Sequence, residues 1–116
     1  MKQTEQATVT LKLLLFQATR IETEFGNMGD IAKAMRRVVN EALRKDAQAT
    51  AAEKAKDDAL IPVTADVTLR QAREILTYFG RALKLLNAPA DRDIYMLVNK
   101  AINESETTLH FTDRLG

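Results

Sequence analysis

The sequence has 116 residues, of which 46% are hydrophobic and 28% charged, with no Cys, no Trp, one His and a formal net charge of +1. That composition suits one domain that buries a core without disulfides, and it excludes a thiolate zinc site, an iron–sulfur cluster, a Cys nucleophile and any multi-histidine metal site. The longest apolar run, Leu13 to Phe16, is far shorter than the ~20 residues of a membrane helix. The start Met1-Lys2-Gln3-Thr4-Glu5 lacks the pattern of a secretory leader, so the expected setting is cytoplasmic, with no membrane partner.

Leu11, Leu14, Leu15, Ala18, Ile21 and Phe25 recur at spacings of three and four and predict a first helix with one apolar stripe, capped by Thr4 or Thr8. A strand competes for the same segment, because Ala7, Val9, Leu11, Leu13 and Leu15 alternate with Thr8, Thr10 and Lys12. Gly26-Asn27-Met28-Gly29 then turns the chain, and Asp30 caps a second helix whose apolar side is Ile31, Met35, Val38, Val39, Ala42 and Leu43. Between Leu43 and Leu60 there is no large apolar residue, but Ala, Lys and Glu favour helix. The second helix is therefore expected to run from Asp30 to Ala59, about 45 Å at ~1.5 Å per residue, before Pro62 stops it. Ile61 to Asp66 is expected as a linker or short strand.

Thr68-Leu69-Arg70-Gln71 has the form of a capping box. The third helix that follows presents Leu69, Ala72, Ile75, Leu76, Phe79, Leu83 and Leu86, with Gly80 as the mark of a close helix crossing. A fourth opens near Asp91 and turns Ile94, Leu97, Val98, Ala101 and Ile102 inward; Thr107 to Thr112 alternate and offer a short strand instead. The fold expected is a single all-α domain over residues 1–116. It is a four-helix bundle with a long Ala-rich second helix, and its inner residues are Leu14, Ile21, Phe25, Met35, Val38, Ala42, Leu76, Phe79, Leu83, Leu97, Val98 and Ile102. The alternative is an α+β fold with a small sheet from residues 7–15, 61–67 and 107–112. No repeat of 20 to 50 residues is apparent.

Catalytic apparatus is thin. Gly26 and Gly29 fit no phosphate-binding loop, and His110 with Thr108, Thr112 and Asp113 has no convincing nucleophile arrangement. The acid pairs Glu22/Glu24, Asp57/Asp58 and Asp91/Asp93 diverge on helices. Neither an enzyme nor a cofactor or metal is expected.

Charge is blocked along the chain. Residues 30–45 carry five cations and two acids, net +3, and residues 67–86 carry four cations and one acid, also net +3. On the second helix Lys33, Arg36, Arg37 and Arg44 lie opposite the apolar side; on the third, Arg70, Arg73, Arg81 and Lys84 fall within an arc of about 80°. Two readings follow. One is a non-enzymatic helical interaction module, a small regulator, adaptor, inhibitor or assembly chaperone. It would meet a protein partner or a second copy through the four-spaced row Ala47, Ala51, Ala55 and Ala59. The other is a nucleic-acid-binding regulator that uses Lys33, Arg37, Arg44, Arg70, Arg73, Arg81 and Lys84 on phosphates. Met28 and Met35 suit an adaptable surface, against the plainer roles of a turn residue for Met28 and core filling for Met35.

Overall fold

Two strands, not only helices, organise the chain. The computed structural model describes residues 7–26, 29–51 and 57–115, with the side chains of the last helix described as far as Ser105. The order is β1 (Thr8–Leu14), α1 (Leu15–Phe25), α2 (Asp30–Gln48), a 3-10 turn (Asp58–Leu60), β2 (Pro62–Thr68), α3 (Leu69–Leu85) and α4 (Pro89–Leu115). β1 and β2 pair as a two-stranded antiparallel sheet. The expected all-α bundle is therefore wrong, and the α+β alternative holds for two of its three strands. The third, 107–112, lies within the helical backbone of α4.

Register follows from the hydrogen bonds at the two ends of the sheet. The Leu15 amide donates to the Ile61 carbonyl at 2.8 Å, and the Leu69 amide to the Ala7 carbonyl at 2.8 Å. Thr10 accordingly faces Asp66, and its hydroxyl donates to the Asp66 carboxylate at 2.8 Å; Lys12 faces Thr64. Both strands alternate in the same order, with Val9, Leu11 and Leu13 of β1 and Val63, Ala65 and Val67 of β2 buried and the residues between them exposed. The period-two pattern of residues 8–14 prevails over the helical spacing of Leu11, Leu14 and Leu15. Helix propensity is a local property, and it is overridden here by a strand partner 54 residues away that no window along the chain contains.

That separation is a repeat. β1 starts at 8 and ends at 14, β2 starts at 62 and ends at 68, a shift of 54 at both ends. Under the same shift nine residue pairs between 8–26 and 62–80 are identical: Val9/Val63, Thr10/Thr64, Leu15/Leu69, Gln17/Gln71, Ala18/Ala72, Ile21/Ile75, Thr23/Thr77, Phe25/Phe79 and Gly26/Gly80. The second helices start at 30 and 89, a shift of 59, which aligns buried Met35 with Ile94 and Val39 with Val98. The chain is a strand–helix–helix unit written twice.

Each strand runs into its helix without a loop, because Leu15 and Leu69 close the period-two series of buried residues and open the helical one, continued by Ala18 and Ile21 and by Ala72 and Ile75. The capping box is present at α3: the Gln71 amide donates to the Thr68 hydroxyl at 3.1 Å, and the Thr68 amide to Gln71 Oε1 at 2.9 Å. At α1 half of it survives. The Leu14 amide donates to Gln17 Oε1 at 2.8 Å, while Leu14 has no side-chain acceptor to return the bond.

The chain divides into two compact units, Lys12–Ala65 and Met1–Leu11 with Asp66–Gly116. In the first, α1 packs on α2, the 3-10 turn meets α1, and Arg36 Nε donates to Glu22 Oε1 at 2.9 Å. In the second, α3 packs on α4. Of the expected inner residues, Ile21, Met35, Phe79, Val98 and Ile102 are buried; Leu14, Phe25, Val38, Ala42, Leu76, Leu83 and Leu97 are half-buried.

The long second helix is also corrected. α2 stops at Gln48, where the Ala49 amide turns back to the Asp46 carbonyl at 3.1 Å. Helices of this length draw most of their stability from packing an apolar face, and past Leu43 there is none to pack. The row of alanines is thus not one helix face. Ala47 is exposed near the end of α2, Ala51 is in a turn, Ala59 is in the 3-10 segment, and Ala55 lies outside the described residues, as does Met28.

The equivalent glycines do different work. Gly26 ends α1 with φ 76°, and a Cβ there would meet nothing within 4 Å. Gly80 is inside α3, where a Cβ would sit 3.2 Å from Tyr95 Cε2, so the predicted close crossing is that of α3 with α4. Gly26→Ala is expected to cost about 1–3 kcal/mol from backbone strain alone. Gly80→Ala is expected to change stability by less than about 1 kcal/mol, since the gain in helix propensity offsets a shift of the Tyr95 ring. Urea unfolding of the two variants measures the difference.

Candidate nucleic-acid interface

The outer face of the sheet is polar and short-chained. β1 exposes Thr8, Thr10 and Lys12, and β2 exposes Pro62, Thr64 and Asp66. The alternation that buries one face of each strand puts these six on the other, and a two-stranded ribbon of this kind is one of the two elements that the major groove of duplex DNA admits. Its side chains carry hydroxyl donors and acceptors, one ammonium and one carboxylate, which is the chemistry of base edges. The cationic stripes are legible in the sequence; this face is harder to see there, although the Thr and Lys alternation with Val and Leu over residues 8–14 is its signal.

The cations are set out on helices of both units. In the first unit Lys33, Arg37 and Arg44 are exposed along α2, at i, i+4 and i+11, and so on one side of it. Arg44 donates to Glu41 at 2.7 Å and Lys45 lies 3.7 Å from the same carboxylate. Arg44, by hydrogen bond and charge, and then Lys45 hold the Glu41 carboxyl below its ordinary range. Glu41 therefore stays ionised and offsets part of the positive charge of this helix, which leaves Lys33 and Arg37 without an ion-pair partner among the described residues. In the second unit Arg70, Arg73, Arg81 and Lys84 are all exposed on α3. Arg70 follows the end of β2 by two residues. The stripes belong to different units, so each stands on its own.

The helices that carry these stripes are not counterparts in the repeat. Position for position, α2 presents Lys33, Arg37, Arg44 and Lys45 where α4 presents Arg92, Met96, Asn103 and Glu104. The core repeats, and of these four cations only Lys33 has a cationic counterpart, Arg92.

Other chemistry finds less support. An open cleft of about 750 Å³ lies in the first unit between α2 and the start of β2, lined by Val38, Ala42, Ile61 and Val63 and by Arg37, Glu41, Lys45 and Asp46 of alternating sign. Among the described residues no buried side-chain nitrogen or oxygen lacks a partner, and no three His or acidic residues converge as a metal site. The acid pairs separate as their spacing implied. Glu22 goes to Arg36 and Glu24 to Arg20, Asp57 caps the 3-10 turn through the Ala59 amide, and Asp91 is buried while Asp93 is exposed. His110 falls in α4, with its side chain outside the described residues. No described helix is long and apolar enough to cross a membrane.

In comparison with known proteins, no family model, curated protein or solved structure matches the chain.

If Glu41 offsets the charge of α2, Glu41→Gln is expected to elute from a heparin column at higher salt than the wild type. It should also elute later than Asp93→Asn, which changes net charge equally on α4; equal elution of the two variants would count against a local effect.

Proposed function

We propose that this protein is a non-enzymatic, duplex-DNA-binding regulator. The outer face of the β1–β2 ribbon enters the major groove, and exposed Lys and Arg side chains of each unit contact phosphates. The observation that carries this reading is the ribbon itself, with six apolar residues on its buried face and three Thr, Lys12, Asp66 and Pro62 on the other. Proteins that read DNA through a β-ribbon use this element in the same way, an analogy at the level of fold. Duplex RNA fits less well, because its major groove is too deep and narrow for side chains to read. Charge agrees: α2 is net +2 and α3 net +3, whereas the whole chain is only +1, which favours contact at chosen phosphates over general polyanion binding. Under this reading the protein acts in the cytoplasm, where it meets DNA.

A helical interaction module is the second reading, with a protein partner or a second copy. Leu85 and Leu86 at the end of α3 are 89% and 74% exposed, and Met96 on α4 is 60% exposed, which supplies an apolar contact that the broken alanine row does not. Light scattering tests the self-associating form of it: a mass of one chain at all concentrations removes the homodimer.

Fluorescence anisotropy with labelled duplex DNA, over a series of salt concentrations, tests the main reading. The expected result is binding that weakens as salt rises. Arg70→Ala with Arg81→Ala should lower affinity on every sequence and flatten the salt slope by about one for each phosphate that is no longer neutralised. Absent or salt-independent binding would overturn the reading.

A further inference from the structure

The repeat places equivalent residues on the outer face of the sheet, and the two halves of that face are not alike. Under the shift of 54, Lys12 corresponds to Asp66, Thr64 to Thr10 (each strand supplying one Thr), and Pro62 to Thr8. In the register of the ribbon Lys12, Thr64 and Pro62 therefore lie toward one end, and Asp66, Thr10 and Thr8 toward the other. Only the middle member agrees. Lys12 and Asp66 differ in sign at the same station, and Asp66 is further set by the Thr10 hydroxyl bond at 2.8 Å.

Proteins with two-fold symmetry bind sites whose sequence mirrors that symmetry. Here the backbone repeats while the groove-facing side chains break the symmetry. Lysine donates to the O6 and N7 acceptors of guanine, whereas a carboxylate only accepts and pairs with the N4 amino group of cytosine. Threonine serves either base edge, and Pro62 has neither donor nor acceptor on its side chain. On a palindromic duplex the two stations would meet the same base, and one of Lys12 and Asp66 would be mismatched.

We infer that the DNA site of this protein is non-palindromic. A single chain reads it, with guanine at the station of Lys12 and cytosine at the equivalent station of Asp66. This inference rests on the duplex-DNA reading, and it goes beyond it by naming the class of sequence bound. The helix charges agree in part: Lys33 has a cationic counterpart in Arg92, whereas Arg37, Arg44 and Lys45 align with Met96, Asn103 and Glu104.

The test is selection of binding sites from a random duplex library with the full chain, run in parallel for the wild type, Asp66→Lys and Lys12→Asp. Asp66 and Lys12 are both exposed on the sheet, and circular dichroism verifies that each variant is folded. The wild type is expected to select an asymmetric site and to bind a palindrome made from either half about tenfold or more weakly, the scale of one mismatched base. Asp66→Lys, with lysine at both stations, is expected to select a palindrome with guanine at both, and Lys12→Asp a palindrome with cytosine at both. A palindromic or sequence-independent wild-type selection overturns this inference while duplex binding stands. Variants that select the wild-type site overturn the roles given to Lys12 and Asp66. Failure of any duplex to be enriched overturns the duplex-DNA reading, and this inference with it.

Discussion

The antiparallel pairing of β1 with β2 is the constraint on which the other features depend. A two-stranded ribbon is marginal by itself in water and needs a buried face. Val9, Leu11, Leu13, Val63, Ala65 and Val67 provide that face, and once the pleat has turned them in, the polar residues between them have only the solvent side. Each strand leads straight into a helix, so the ribbon also sets where α1 and α3 begin. Leu15 and Leu69, whose amides close the two ends of the ladder, are the first residues of those helices. Strand register, helix start and the chemistry of the exposed face are three expressions of one pairing.

The parts of this fold that depend on neighbours in sequence were legible. The Thr68–Gln71 capping box, the turn at Gly26, the apolar stripe of α2 through Val39, and the body of α3 all follow from spacings of a few residues. Even the close approach at Gly80 could be expected from a glycine in an otherwise apolar helix. What escaped was non-local. Residues 8–14 satisfy both a helical and an alternating pattern, and the choice between them is made by residues 62–68. The 54-residue repeat, which would have revealed that partner, exceeds the 20 to 50 residues of solenoid units. It is nonetheless written in the sequence as Val9/Val63, Leu15/Leu69, Gln17/Gln71, Ile21/Ile75 and Phe25-Gly26/Phe79-Gly80. The over-long second helix has a different cause. Propensity favours helix past Leu43, but without apolar side chains to bury it does not hold one beyond Gln48.

The candidate site was half legible for the same reason. Cations on helix faces are read directly from sequence, and Lys33, Arg37, Arg44, Arg70, Arg73, Arg81 and Lys84 are all exposed. Their worth differs, since Glu41, which interrupts the stripe in the sequence too, engages Arg44 and Lys45 together at i+3 and i+4. The ribbon face was hidden behind the helical reading of residues 11–15, because Thr8, Thr10 and Lys12 have a common direction only if the segment is a strand. The alanine row failed in the converse way: it had a common direction only if the helix continued.

Having both strands in one polypeptide also changes how the sheet responds to dilution. A ribbon assembled from two separate chains comes apart when its concentration falls below a dissociation constant, and its melting temperature follows concentration. Here residues 15–61, which include α1 and α2, join β1 to β2 in one chain, so each strand keeps its partner however dilute the protein is. The ladder between β1 and β2 therefore forms as a unimolecular event, as intact in a cell holding a few copies as in a concentrated solution.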